Sequence, residues 1–337
     1  MTHRLFLLLA VVGWIANPPM AISAQEDKTA AEAFKEGREA YKEAETAEEK
    51  LSILKDFLNR FPNSDYTDYA LGLGVELLTN DYEDPERAEK LIETVLGKAE
   101  NIEVKKQVLF RLTRLYGERK KMDQFIALAN DLTEDYDLKY SDLNDLNETA
   151  IAYEAWDLAL RVSEIAMPLA SAAQYRADYP EMVLSDETLE RRGRRRKGLT
   201  LSQKGWAQAQ LGMTDEGIET LKSAIEHSSL NYVGVPETDA QKYLGIALLG
   251  QDEYGKAIDY LTADAIFGNQ EDALEALERA YVGRTGREEG FDDFKWNLRR
   301  DNARKVDAFT LNDYKDNAFD SSGLKGEVVL LSFWNPT

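Results

Sequence analysis

From Ala30 to about Arg300, apolar residues recur every three or four positions. Leu51, Leu54, Leu58 and Phe61 form one such stripe, and Leu109, Leu112, Leu115 and Tyr116 another, the spacing of helices that bury one face. The strict alternation that marks a half-buried strand is missing over this stretch. The pattern predicts an all-α region. Polar or glycine-bearing segments at 61–66, 80–86, 141–145, 182–187, 233–239 and 283–290 are read as breaks between helices. In "NDYEDPE" (80–86), Asp84 is a candidate N-cap, Pro85 the first helical residue and Glu86 a first-turn acid that favours the helix dipole.

The helices repeat. "WAQAQLGMTDEGIETLKSAI" (206–225) and "IALLGQDEYGKAIDYLTADAI" (246–266) share a small residue and Leu before a turn, an acid after it, then a small residue followed by Ile and Leu. Gly217 and Ala257 fill the small slot, Ala88 does so in residues 68–96, and Gly290 is placed in it further on. Small residues at these positions let two helix backbones approach. The layout resembles tetratricopeptide repeats, which implies a tetratricopeptide-like α-solenoid over residues 25–305 and a surface for a protein or peptide partner.

The pattern changes at Val306. Phe309 and Leu311 alternate, Phe319 begins a second extended piece, and Val328 to Leu331 with Phe333 and Trp334 form an apolar run suited to a strand buried on both faces. Such a strand needs neighbours. Ala308-Phe309-x-Leu311, Leu324-Lys325-Gly326 and Val328-Val329-Leu330-x-x-Phe333-Trp334 resemble, in that order, the start of a thioredoxin-like domain of the thiol-disulfide reductase and redoxin group. The resemblance makes residues 306–337 an incomplete thioredoxin-like α/β segment. It implies a Cys-x-x-Cys just beyond Thr337, with Trp334 and Pro336 flanking the site.

The first 24 residues read as a secretory signal: His3 and Arg4, an apolar stretch from Leu5 to Ala16, and Ile22-Ser23-Ala24 before the polar Gln25-Glu26. Export to a bacterial periplasm or envelope is expected, without stable membrane insertion after cleavage. In the 337-residue chain, 41 Lys and Arg face 62 Asp and Glu, a formal net charge of -21 that disfavours nucleic acid and anionic lipid. With no cysteine and only His3 and His227, thiolate-imidazole zinc sites are excluded, and no cofactor or metal is expected.

Other candidates have simpler readings. "RRGRRRK" (191–197) is read as a solvated helix-and-turn surface pairing with Glu187 and Glu190, against an anion-binding patch or a protease-sensitive loop. His227, beside Ser228 and Ser229, is read as a polar helix C-terminus, and "SDLNDLNE" (141–148) lacks the glycine of a calcium loop. Trp156 and Trp206 are assigned to inter-helix packing. The expectation is an exported thiol-disulfide oxidoreductase with a helical-repeat docking region, bearing no catalytic residue in this stretch of chain. The alternative is a non-enzymatic repeat scaffold of the bacterial envelope, and a third reading is peroxiredoxin-like peroxide reduction.

Overall fold

The fold is described from a computed structural model for residues 24–228, 237–302, 309–312, 318–320 and 322. These are helical except for one short antiparallel strand pair. Consecutive helices pair: α1 (Ala24–Glu43) with α2 (Ala47–Arg60), α3 (Thr67–Glu76) with α4 (Pro85–Leu96), and α5 (Ile102–Glu118) with α6 (Met122–Asp135). Next come α7 (Tyr140–Ala152) with α8 (Trp156–Ala166), the short α9 (Ala172–Asp178), and α10 (Asp186–Gln210) with α11 (Thr214–His227). The series continues with α12 (Ala240–Leu249), α13 (Tyr254–Thr262), α14 (Glu271–Thr285) and α15 (Phe291–Asn302).

Four pairs turn identically. The N–H of Lys121, Ala155, Met213 and Glu253 reaches the carbonyl five residues earlier, on Tyr116, Ala150, Gln208 and Leu248. The residue before each donor has positive φ: Lys120, Glu154, Gly212 and Asp252. Four residues after each donor lies a buried position, occupied by Phe125, Ala159, Gly217 and Ala257. Ala88 stands four residues after the Asp84 N-cap and is also buried. At Gly217 and its neighbour Gly205, a Cβ on Gly205 would lie 3.0 Å from the Gly217 carbonyl, while one on Gly217 would lie 2.7 Å from that of Gly205. Side chains there would push α10 from α11. The α12–α13 pair meets in the same way through Gly245 and Ala257.

Two connections carry an additional residue as a π-turn, at Leu77–Asp81 and Ala263–Phe267. In each, a bond spans six residues, from Asp84 to the Leu78 carbonyl and from Gln270 to that of Asp264. Asp84 also caps α4, its carboxylate accepting the Arg87 N–H at 3.0 Å, with Pro85 in the first turn. The fold thus joins tetratricopeptide-like helical hairpins, each burying its apolar stripe against the next, with apolar clusters in α1–α5, α5–α8 and α11–α15.

Three expectations need correction. Residues 141–145 are not a break: they open α7, and the connection precedes them at 136–139. Capping chemistry explains this, since Asp142 accepts the Lys139 N–H at 3.0 Å. Gly290 is not a packing slot but a turn residue with φ 93° ahead of α15. The Arg191–Lys197 run is neither loop nor wholly solvated surface. It lies inside α10, where Gly193 and Arg196 are buried.

In the tail, β1 (Thr310–Asn312) pairs with β2 (Ala318–Asp320), Leu311 opposite Phe319. The strand expected at Val328–Trp334, together with Pro336, lies outside the described residues, as do residues 1–23 and most of the 233–239 break.

Candidate functional site

The first helices of successive pairs lie side by side, joined by direct side-chain contacts. Asp68 of α3 takes a two-point ion pair from Arg111 of α5, whose Nη2 is 2.8 Å from Oδ2. Lys106 of α5 reaches Asp142 of α7 at 3.4 Å. Gln203 of α10 donates to Asn144 of α7 at 3.1 Å, and Trp206 of α10 stacks on Tyr243 of α12 at 4.6 Å with 5° between the rings. Trp156, at the start of α8, meets the edge of Trp206 at 6.2 Å. These aromatic contacts seal the joints between repeats while Trp206 and Tyr243 remain half-buried.

Charge is uneven along this face. On α3 and α5, Asp68 is matched by Arg111, Glu103 by Lys106 at 2.8 Å and Glu118 by Arg114 at 3.2 Å, while Glu76 has no ion pair among the described residues. On α7, Asp145 and Glu148 have no ion-pair partner among the described residues; Glu148 accepts only the Asn144 amide, at 2.9 Å. Asp145 keeps solvent contact, yet protein crowds it. That burial, then the charges of Glu148 and Asp142, push its carboxyl up to about 6, with Arg114 opposing. The Glu148 charge also reaches Tyr243, whose phenol is held neutral chiefly by burial and then by Asp239 and Asp272. Two unmatched carboxylates and a stacked aromatic pair therefore share the α7–α12 stretch.

The basic run supplies an internal anchor. Arg196 donates to Asp178 of α9 at 2.7 Å, both side chains being buried, and its guanidinium lies 4.5 Å from the ring centres of Tyr140 and Tyr175. The Tyr140 hydroxyl donates to the Arg196 carbonyl at 2.9 Å. Cation–π contact and a matched charge permit burial of a group that otherwise stays in water. Asp178 is 18 residues before Arg196, beyond the reach of any helical spacing rule, so the pair was not legible in sequence.

No catalytic constellation assembles among the described residues. Ser228 donates to the Ala224 carbonyl and shares a hydrogen bond with Thr238. Its neighbour His227 ends α11, where burial and then Lys197 lower its pKa. A groove between α1, α2 and α3 is lined by Phe34, Tyr41, Phe57 and Tyr69, and another lies beside Trp156 and Arg161. Neither contains His, Ser or Thr. Among the described residues, no group of three or more His, Cys, Asp or Glu is placed to hold a metal ion, and no helix is long and apolar enough to cross a membrane. The packing residues Ala88, Gly217 and Ala257 sit inside their hairpins rather than on this face.

These features define a helical-repeat protein with a mixed acidic and aromatic face. Neither a family model nor a curated protein matches the chain. Among solved structures it is similar to the TPR2AB domain of yeast Sti1 in its complex with pHSP90, at 17% identity, over 77% of this chain and 99% of that one, with a TM-score of 0.29. The repeat assignment rests on the shared turns and packing slots of the helix pairs themselves.

Proposed function

We propose that the protein is a docking scaffold whose face across α7, α10 and α12 binds a cationic segment of another protein. The observation that carries this is the pair of carboxylates without an ion partner, Asp145 and Glu148, the second of which reaches Tyr243 of the stacked Trp206–Tyr243 pair with its charge. On α3 and α5, by contrast, Asp68, Glu103 and Glu118 are already matched. An arginine or lysine side chain satisfies both features, gaining Coulomb attraction from the carboxylates and a cation–π contact from an aromatic ring.

Titration calorimetry of the full chain with an arginine-rich peptide, an acidic peptide and a neutral one tests this reading. The cationic peptide is expected to bind, more weakly at high salt, and Asp145→Asn combined with Glu148→Gln to weaken it roughly tenfold or more. Because Asp145 must be ionised, affinity is expected to fall as pH drops through about 6. Equal binding of the acidic peptide, or an unaffected double variant, would count against it.

A narrower proposal concerns the tail. The antiparallel pair β1–β2 supports extended structure at Leu311 and Phe319, and the ordered sequence motifs up to Trp334 and Pro336 support a thioredoxin-like continuation in an exported oxidoreductase. The reading frame after codon 337 checks this: a Cys-x-x-Cys is expected within about three positions, where a helix N-terminus would stabilise a thiolate. A frame without that pair leaves the scaffold alone.

A further inference from the structure

The turn between α13 and α14 buries a carboxyl where its counterpart buries a hydrocarbon. Asp264 holds in the second π-turn the place of Leu78 in the first, each carbonyl accepting the bond that spans six residues. Leu78 is fully buried and Asp264 is 1% exposed. Neither Asp264 carboxyl oxygen has a well-aligned hydrogen-bond partner, although the Lys242 main-chain N–H, in the first turn of α12, favours its charge. A buried carboxylate so placed is strongly disfavoured.

The surrounding charges come from the helices packed on the turn. α12 contributes Asp239 and Lys242, and α14 contributes Asp272. Lys242 is buried and already held by Asp272 at 2.9 Å and Asp239 at 3.3 Å. Burial opposes its charge, but the two acids outweigh burial and raise its pKa. Tyr243 stays a neutral phenol. α15 also packs on the turn, and its Asp292 and Lys295 pair with each other at 2.8 Å. Three carboxyl groups therefore crowd one ammonium that two of them already engage.

We infer that Asp264 is carried as a neutral acid in the folded α12–α14 unit and works as a proton-operated latch: once ionised, it competes with Asp272 for Lys242 and loosens α14 from α12. Burial, and next the Asp239 charge, push the carboxyl up to about 7. The folded state keeps a proton that the unfolded chain releases near 4. The stabilising contribution is thus complete at acid pH, declines as pH rises towards 7, and is constant above it. Within that window each pH unit multiplies the opening constant of the unit by up to about ten. The latch does not depend on the docking proposal.

Two measurements on the full chain test it. Carbon-13 NMR of the Asp264 carboxyl is expected to show a midpoint near neutrality. Native-state hydrogen exchange, corrected for intrinsic chemistry, is expected to show opening of α12 and α14 that increases with pH up to about 7 and then levels off. Asp264→Asn should abolish that pH dependence, and so should Asp264→Leu, which copies Leu78 and leaves no polar atom to satisfy. A midpoint near 4, or unchanged pH dependence in both variants, would overturn the proposal. Should neither variant fold, the carboxyl titration decides alone.

Discussion

Residues 24–140 and the helices after them use the same hairpins but treat buried polar atoms differently. In the first region, buried Thr67 and Thr113 donate to the carbonyls of Phe61 and Leu109. The buried side-chain atoms without a partner, among the described residues, all fall later: on Asn147, Arg161, Ser202, Gln208 and Asp264. Leu78 against Asp264 is the sharpest instance, because the two turns share their bonds and a positive-φ residue, Glu83 or Asn269. Backbone geometry accepts either residue, so what differs is the company each keeps. Around Asp264 a lysine and a helix N-terminus make the carboxyl tolerable, whereas Leu78 belongs to a wholly apolar cluster. The repeat supplies slots, and local partners decide which chemistry a slot holds.

The most disruptive way to break this comparison is to exchange the chemistry. Leu78→Asp should destabilise by roughly 4 to 6 kcal/mol at pH 8, combining lost burial with an unpaired carboxyl, and by less at pH 4 where the acid is neutral. Urea unfolding at the two pH values measures it; a loss independent of pH would show that the first turn admits water.

Removing one half of a matched pair ranks next. Arg196→Ala should cost roughly 3 to 5 kcal/mol by stranding Asp178 and emptying the space between Tyr140 and Tyr175. Double-mutant analysis with Asp178→Asn should recover part of that loss. A cost under about 1 kcal/mol would place the pair with ordinary surface bridges.

The smallest effect sharpens the shared geometry. Ala257→Phe should destabilise by roughly 1 to 3 kcal/mol, because Ala257 is fully buried where α13 crosses Gly245. Unchanged thermal stability would mean that the crossing opens without loss.

The helical class was legible because apolar spacing is local: Leu51, Leu54 and Leu58 state it within eight residues, and all three are buried. Short caps were readable for the same reason, as Asp84 and Pro85 show. The proposed docking face was hidden because its neighbours are remote: α11 lies between Trp206 and Tyr243 in the chain, and α8 and α9 lie between Asn144 and Gln203. One signal was available. Trp206 directly follows Gly205 and Tyr243 lies two residues before Gly245, so aligning those glycines would have placed both aromatics near one joint. Asp264 could have been found by the same alignment, since it falls where Ala224 stands in the preceding hairpin.

Helix α10 has a consequence for cooperativity. A row of hairpins that touch only their neighbours can fray from either end, unfolding in steps. At 25 residues, α10 instead contacts α7, α8, α9, α11 and α12. Loss of this one helix removes support from both sides of the array at once. Partial unfolding that begins at a terminus should therefore halt at α10, and the chain should behave as two fraying arms fastened to a central cooperative block.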